Sequence, residues 1–428
     1  MNYLSLLGIV VGIGLFIFMA VKRLPMYISA VVAAVVVAMF SMVNPYTALT
    51  TWFMSGAAGF FKGYFLLFLA SSLYGKLLDV SGCAKRIAVS MGKLTGKSKD
   101  SGFWAVMTLF VFYLILSYIG VNGFVVAFAA VCVGRELFVA SDVPWRLYPF
   151  GSSGMMIGMV LAGSYSTANL VTTQSFGVPT TAAAGFSLVF ALLYALAYAV
   201  LVKVELRSAR KHGEGFLPSG ARIAEANVAI DEKQLPCLRN AVLCLLVPIV
   251  IIFTLRLPAD LSLFLAIVVC VVLNFKHIPK LMDVIIEGVG GGVVPVVGGC
   301  AAFGVAAVIQ NTGGFSALEG LLKHLPGVLP ATILSVGMSI SIISGYTFSA
   351  QYAAWLLPLG ISAETAARLM AMATFASTMP HSPGVVNGVA LTRLEYKSAI
   401  RSYLKGAMIP GLFALSICVV LVSFGVFT

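Results

Sequence analysis

The chain has 428 residues, of which 60% are hydrophobic and only 10% are charged, and its formal net charge is +12. A soluble globular protein carries about 25% charged residues, so this composition excludes an ordinary soluble fold. Apolar runs of about 20 residues, the length that crosses a bilayer, recur from end to end and predict an all-α polytopic membrane protein. The basic residues cluster in short connections. The positive-inside rule assigns these to the cytoplasmic face, so the charge indicates topology and not nucleic-acid binding.

In the first half, a long basic stretch and two interrupted apolar blocks accompany the plain helices. A basic loop is expected at Ser81–Gly102. The apolar block at about 103–139 breaks at Ser117–Gly123 and has basic flanks on both sides. It predicts a cytoplasmic-side re-entrant hairpin, with one kinked helix followed by another as the alternative. A helix from Leu147 loses its apolar character at Gly163–Asn169, which predicts a discontinuous helix. Plain helices are expected at about 3–21, 25–43, 52–80 and 181–202.

The second half repeats this order. A short loop is expected at Asn311–Gly327, and an interrupted apolar block at about 328–359 has its polar break at Ser344–Gln351. The stretch Ser377–Asn387 follows an apolar run but contains two prolines, which break a helix because each removes a backbone donor. Such a break at membrane depth is typical of transporter sites; a helix that ends in a cytoplasmic loop is the alternative. Plain helices are expected at about 240–255, 261–275, 280–309 and 403–426, the third rich in glycines that allow close packing.

The repeated order predicts two repeats, residues 1–202 and 240–428, joined by a cytoplasmic linker at 203–239. Each half is expected to cross the membrane five times, an odd number, so the second repeat is inverted and its hairpin lies on the outer side. The predicted fold is therefore two inverted-topology repeats, each with a re-entrant hairpin and a discontinuous transmembrane helix. Both termini are expected outside a bacterial inner membrane. Arg368 is one of three basic residues that this topology places on the outer side.

Four polar segments, two hairpin tips and two helix breaks, are expected to meet near the middle of the membrane. Helix N-termini carry partial positive charge and unpaired N–H groups, so the segments suit a small carboxylate. The alternative for any one serine or threonine is simple helix–helix hydrogen bonding. The candidate substrate-binding residues are Ser117, Gly120, Asn122, Gly123, Ser164, Ser166, Thr167, Asn169, Ser344, Gly345, Thr347, Ser349, Thr378, His381, Ser382 and Asn387.

His381 is the one titratable group expected inside this site. Histidine changes charge near neutral pH, so it is the candidate proton carrier or carboxylate partner; a neutral donor fixed by a neighbouring serine is the alternative. Sodium is also a candidate coupling ion, because hard cations take oxygen ligands. Its candidate ligands are Ser117, Asn122, Ser344 and Thr347. No other cofactor or metal is expected, since the seven cysteines are scattered.

The sequence contains neither a catalytic triad pattern nor a Walker A motif, so an enzyme and an ATP-driven pump are disfavoured. A symporter is expected, with an ion antiporter or exchanger on the same scaffold as the alternative and a channel less favoured.

The chain also resembles a known family over nearly its whole length. The residues that carry the resemblance are Gly163-Ser164, Asn169, Gln174–Gly177, Lys211–Phe216, Thr378–Ser382, Asn387 and Leu391-Thr392. They resemble the gluconate permease (GntP) family of the ion transporter superfamily, nearest its hydroxybutyrate-permease-like branch. The resemblance implies proton- or sodium-coupled uptake of gluconate, 3-hydroxybutyrate or a related carboxylate. It also implies a homodimer with a scaffold and a moving transport domain. Ala162, Tyr165 and Pro383-Gly384 depart from the family pattern within the expected site. These departures leave room for a substrate other than gluconate or hydroxybutyrate.

Overall fold

A computed structural model describes residues 2–427 except 23, 96–99, 122, 218, 225–234, 256, 258, 323, 341–347 and 381. Within these ranges the regular elements are all helices, and no strand is present. The first half contains α1 (Asn2–Val21), α2 (Met26–Phe40), α3 (Pro45–Thr47), α4 (Met54–Val80), α5 (Cys83–Thr95), α6 (Ser101–Tyr118), α7 (Gly123–Ala140), α8 (Tyr148–Ser152), α9 (Gly154–Val160), α10 (Thr167–Ser175), α11 (Ala184–Lys211) and α12 (Ala221–Ala224). The second half contains α13 (Leu238–Val250), α14 (Ala259–Asn274), α15 (Leu281–Gln310), α16 (Gly313–Leu322), α17 (Leu329–Ile340), α18 (Ser349–Leu356), α19 (Ala363–Met372), α20 (Pro383–Thr392), α21 (Tyr396–Tyr403) and α22 (Ile409–Ser423).

Among the described residues, six helical runs are long and apolar enough to cross a membrane. They are Pro45–Val80, Ser101–Tyr118, Ala184–Lys211, Asp260–His277, Leu281–Gln310 and Tyr396–Ser423. Shorter apolar helices lie at Tyr3–Met19, Met26–Phe40, Leu238–Pro248 and Leu329–Ile340. These helices make the chain a multi-pass membrane protein, as the composition predicts.

The long apolar helices α4 and α15 pack against each other along their length. Small residues make the close approach possible. A Cβ added at Gly56 would lie 2.4 Å from the Phe303 carbonyl oxygen, and one at Gly299 would lie 2.1 Å from the Phe60 ring. The prediction that the glycines of the 280–309 helix serve close packing is therefore confirmed.

The predictions of loops at Ser81–Gly102 and Asn311–Gly327 are wrong, because each stretch contains a helix, α5 and α16. Both helices are short, and their described buried residues include Cys83 and Ile87 in α5 and Phe315 in α16. The basic residues of α5, such as Lys85 and Arg86, hid this helix in the sequence. These helices begin at corresponding places in the two halves, directly after α4 and α15.

The helix predicted at about 181–202 extends to Lys211 as α11. Its 28 residues correspond to about 42 Å of helix, which exceeds the roughly 30 Å hydrocarbon thickness of a bilayer. The charged last turns of α11 therefore project beyond the apolar layer.

Both expected helix breaks are present. In the first half, α9 ends at Val160, the chain is unwound over residues 161–166, and α10 begins at Thr167. In the second half, α19 continues as a 3-10 turn at Ala373–Ser377, and α20 begins at Pro383. The second break is thus shorter than the predicted Ser377–Asn387, since Pro383 starts a helix. Proline is favoured at the first helical position, where its missing N–H has no role.

Three π-helical stretches, Ala48–Phe53, Ile251–Leu255 and Leu404–Met408, lie within longer helical runs of the described chain. Two of them lie close to prolines, Pro248 and Pro410. Because proline has no N–H, the carbonyl group four residues earlier loses its usual helical partner. A buried tyrosine hydroxyl meets each of these carbonyl groups: Tyr74 donates to Cys244, and Tyr194 lies 3.3 Å from the Gly406 oxygen.

Candidate functional site

A cavity of about 380 Å³ lies where three of the four predicted polar segments meet. The turn between α6 and α7 contributes Gly120, the first break contributes Tyr165, and the second break contributes Thr378. Helices α2 and α4 close another side through apolar residues such as Phe68. The candidate residues that line the cavity are Ser117, Gly120, Gly123, Ser166, Thr167, Thr378 and Ser382.

Two half-helices begin at this cavity, and each starts with a serine cap. Ser166 accepts a hydrogen bond from the Asn169 N–H at the start of α10, and Ser382 accepts one from the Val385 N–H at the start of α20. Both donor–acceptor distances are 3.3 Å, and both serines line the cavity. The first turn of a helix carries partial positive charge, so both half-helices direct positive potential into the same space.

The turn between α6 and α7 and the first break are bonded directly to each other. The Tyr165 N–H donates to the Tyr118 carbonyl oxygen at 2.9 Å, and the Tyr118 hydroxyl donates to the Ala162 carbonyl oxygen at 2.9 Å. Gly120 has a φ of +83°, and a Cβ there would lie 2.7 Å from the Tyr165 Cβ. A glycine is required at this contact both for its backbone conformation and for its lack of a side chain.

Two glycines one turn apart allow α9 to pack closely against α6. A Cβ at Gly154 would lie 1.9 Å from the Phe110 carbonyl oxygen, and one at Gly158 would lie 2.5 Å from the Leu114 carbonyl oxygen. This close approach brings the Met155 carbonyl oxygen within 3.3 Å of the Ser117 hydroxyl, which donates to it. The half-helix α9 and the end of α6 are therefore held in fixed register.

Ser164 and Asn169 lie behind the cavity wall and not on it. Both are fully buried, and both are bonded inside the first break. The Asn169 side-chain amide donates to the Ser164 carbonyl oxygen at 2.6 Å and to the Thr180 carbonyl oxygen at 3.2 Å. These bonds stabilise the unwound backbone, which otherwise has no helical partners.

The Asn169 oxygen accepts from Arg368, a residue that the sequence analysis used only as an outer-side charge. The Arg368 side chain is fully buried. It donates to the Ala182 carbonyl oxygen at 2.7 Å and to the Val160 carbonyl oxygen at 3.1 Å, and it also donates to the Thr180 carbonyl oxygen. Arg368 thus comes from α19 of the second half and secures the end of α9 and the first break.

Among the remaining candidates, Ser349 is buried at the start of α18 and is not part of the cavity lining. Asn122, Ser344, Gly345, Thr347 and His381 lie outside the described residues, as does the side chain of Asn387. Of the four candidate sodium ligands, only Ser117 is therefore described.

Sequence reasoning missed several lining residues. Tyr113 and Tyr403 line the cavity, and so does the Ser152-Ser153 pair at the junction of α8 and α9. Three methionines of α9, at positions 155, 156 and 159, also face it. The pair of serines within an otherwise apolar run was the available signal; the tyrosines carried none, because tyrosine is common in membrane helices.

The chemistry of the site follows from this lining. Its described part combines hydroxyl groups, two helix N-termini and apolar surface, and carries no charged side chain. A volume of about 380 Å³ lies within the usual range of small-molecule pockets. The arrangement suits a small anion whose negative charge meets the helix ends and whose hydroxyl groups meet serine, threonine and tyrosine.

The fold is that of a multi-pass membrane transporter. It is similar to that of the Alcanivorax borkumensis YdaH transporter, whose crystal structure is reported to have an unusual topology, with a TM-score of 0.51 and 16% sequence identity over 87% of this chain and 88% of YdaH. In sequence the chain is similar to the uncharacterized transporter YxjC of Bacillus subtilis strain 168. The two share 23% identity over 459 aligned residues, covering 93% of this chain and 94% of YxjC. No known protein-family profile matches the chain.

Proposed function

We propose that the protein is a secondary active symporter that moves a small organic anion by alternating access around the 380 Å³ cavity. The observation that carries the proposal is the convergence of two serine-capped half-helix N-termini on one cavity without charged side chains in its described lining. Discontinuous helices that direct their N-termini at a carboxylate are a recurring transporter device. The transporter names of YxjC and YdaH support the same class.

Gluconate, 3-hydroxybutyrate and related carboxylates are the first substrates to test. Hydroxy acids match a lining that includes hydroxyl-bearing residues such as Ser166, Thr378 and Tyr403. The proposal retains protons or sodium as the driving ion, with His381 as the proton carrier. It also retains the two inverted repeats, the homodimer and the bacterial inner membrane.

Uptake into proteoliposomes tests the proposal. Labelled gluconate, 3-hydroxybutyrate, lactate and succinate are offered under an imposed proton or sodium gradient. One acid is expected to accumulate in a saturable manner under one of the gradients. Accumulation of none of them by folded protein would contradict the proposal and favour an ion exchanger, and a steady conductance would favour a channel.

The serine caps give this experiment a matched control. Ser362 caps α19 with the same 3.3 Å contact, to the Thr365 N–H, but does not line the cavity. Ser166→Ala and Ser382→Ala are expected to raise the KM for the transported acid about tenfold, equivalent to about 1.4 kcal/mol of lost binding. Ser362→Ala loses a comparable cap but is expected to leave KM unchanged. An equal KM change in all three variants would show that the caps act through stability alone.

A further inference from the structure

A second cavity, of about 480 Å³, lies apart from the transport cavity beside the charged last turns of α11. Every lining residue that the structure describes is polar or charged, in a chain that is 60% hydrophobic. We call it the basic groove. It is lined by Arg146, Glu205, Ser208, His212, Glu214, Lys397, Ser398, Arg401, Ser402 and Lys405.

The acidic residues of the basic groove are already paired. Arg146 contacts Glu214 at 2.6 Å and Glu205 at 3.3 Å, and Lys405 also pairs with Glu205. Two cations, Arg146 and Lys405, therefore balance the two carboxylates of the groove. The side chain of Glu205 is only 13% exposed, so this network is a fixed part of the structure.

The basic groove also carries positive charge that these acids do not neutralise, on Lys397 and Arg401. Lys397 and Arg401 lie four residues apart on α21, and side chains at that spacing share one helix face. Both residues are exposed, and neither takes part in an ion pair within the described parts of the chain. Hydroxyl groups of Ser208, Ser398 and Ser402 lie among them.

We propose that the basic groove binds a phosphate-bearing anion, held by Lys397 and Arg401. A phosphate group presents several oxygens, which match an arginine fork, a lysine ammonium group and nearby hydroxyl donors. At about 480 Å³ the groove has room for a phosphate group that is part of a larger molecule. That molecule is either a soluble phosphorylated compound or the headgroup of an anionic lipid.

The position of α21 connects this groove to the transport cavity. From the same helix, the Tyr396 hydroxyl donates to the Pro380 carbonyl oxygen in the second break at 2.9 Å. Tyr403, at the end of α21, lines the transport cavity. One helix of eight residues therefore contacts both sites.

The test measures thermal unfolding of the full-length protein, because a ligand that binds only the folded state raises the Tm. In one arm the protein is in neutral detergent and sodium pyrophosphate is titrated against sodium sulfate at equal ionic strength. In the other arm it is in nanodiscs of phosphatidylcholine with or without phosphatidylglycerol. The variants are Lys397→Gln/Arg401→Gln and the matched control Arg207→Gln/Lys211→Gln, which removes two exposed charges of α11 outside the groove.

A rise in Tm with pyrophosphate identifies a soluble phosphate compound, and a rise only with phosphatidylglycerol identifies a lipid headgroup. Either rise must vanish in Lys397→Gln/Arg401→Gln and persist in Arg207→Gln/Lys211→Gln. If the double variant does not fold, Lys397→Gln alone must reduce the rise. No rise in either arm, or an equal loss in the control variant, overturns the proposal. The readout does not depend on transport, so it stands or fails separately from the proposed symport.

Discussion

At the residue scale, buried polar groups in this protein are matched to particular defects in the helices. Pro410 deprives the Gly406 carbonyl group of its usual donor, and the hydroxyl group of Tyr194 lies 3.3 Å from that oxygen. Tyr198 lies one turn further along α11 and is equally buried, yet its hydroxyl group has no partner in the described structure. Two similar side chains on one helix thus have opposite energetic roles.

This difference gives a paired prediction for Tyr194→Phe and Tyr198→Phe. The first change removes a buried hydrogen bond and is expected to lower the free energy of unfolding by about 1 kcal/mol. The second removes only an unpaired hydroxyl group and is expected to leave stability unchanged or slightly raised. Tm in detergent measures both. Equal Tm values for the two variants would contradict the role given to Tyr194.

Arg368 gives a second prediction. Arg368→Met leaves the Ala182, Val160 and Asn169 oxygens without their charged donor. Each buried acceptor left unpaired costs about 1 kcal/mol or more, so a loss of about 3 kcal/mol is expected.

Arg207→Met is the control for this change, because Arg207 is exposed on α11. It is expected to keep the wild-type Tm. If Arg368→Met unfolds at the same temperature as Arg207→Met, the network around the first break does not depend on Arg368.

At the element scale, the contact between α4 and α15 is set by which glycines face the partner helix. Gly56 lies against the Phe303 backbone, whereas a Cβ at Gly59, less than one turn away, would have no atom within 4 Å. The two positions look alike in the sequence and differ only in the direction in which they point.

Gly56→Ala is expected to destabilise the protein by about 1–3 kcal/mol, because the new methyl group must push α15 away. Gly59→Ala is expected to be neutral or stabilising by up to about 1 kcal/mol, since alanine favours the helix more than glycine does. Chemical denaturation followed by tryptophan fluorescence measures both changes. A Gly56→Ala variant as stable as Gly59→Ala would mean that the helices do not meet at Gly56.

At the scale of the whole molecule, the two halves are packed together throughout. The helix pairs α4 and α15, α1 and α16, α5 and α13, and α10 and α19 each join the first half to the second. Arg368 adds a polar contact of the same kind. Each half alone would expose these apolar faces.

We therefore predict that residues 1–224 and 235–428, produced as two chains, fold only together. Co-expression is expected to yield a complex that co-purifies through a tag on either chain, while each fragment alone aggregates or is degraded. Size-exclusion chromatography of the three preparations is the measurement. A monodisperse, helical first fragment in the absence of the second would contradict the prediction.

The sequence predicted those features that depend on local chemistry. The helices at about 3–21 and 280–309 are confirmed as α1 and α15. A long apolar run in a membrane forms a helix because its backbone polar groups must be hydrogen-bonded internally. The turn after Tyr118 and the two helix breaks follow from glycine, serine and proline. Short helices such as α5 were missed, since their apolar face is narrow and their other face is basic.

The sequence could not predict which groups the individual side chains contact. Ser164 and Ser166 are two residues apart and chemically identical, yet Ser166 lines the cavity and Ser164 is bonded behind it. Arg368 looked like an exposed charge, because its acceptors are carbonyl groups from distant parts of the chain.

The π-helical stretch Leu404–Met408 has a further consequence for how this chain compares with others. A π turn is equivalent to one extra residue inserted into an α-helix, and each residue turns the helix by about 100°. Removing one residue there would restore a regular helix while rotating α21 against α22. Tyr403 would then leave the transport cavity, and Lys397 and Arg401 would leave the basic groove. A single-residue gap at this place in a relative would therefore mark a protein in which both sites are built differently.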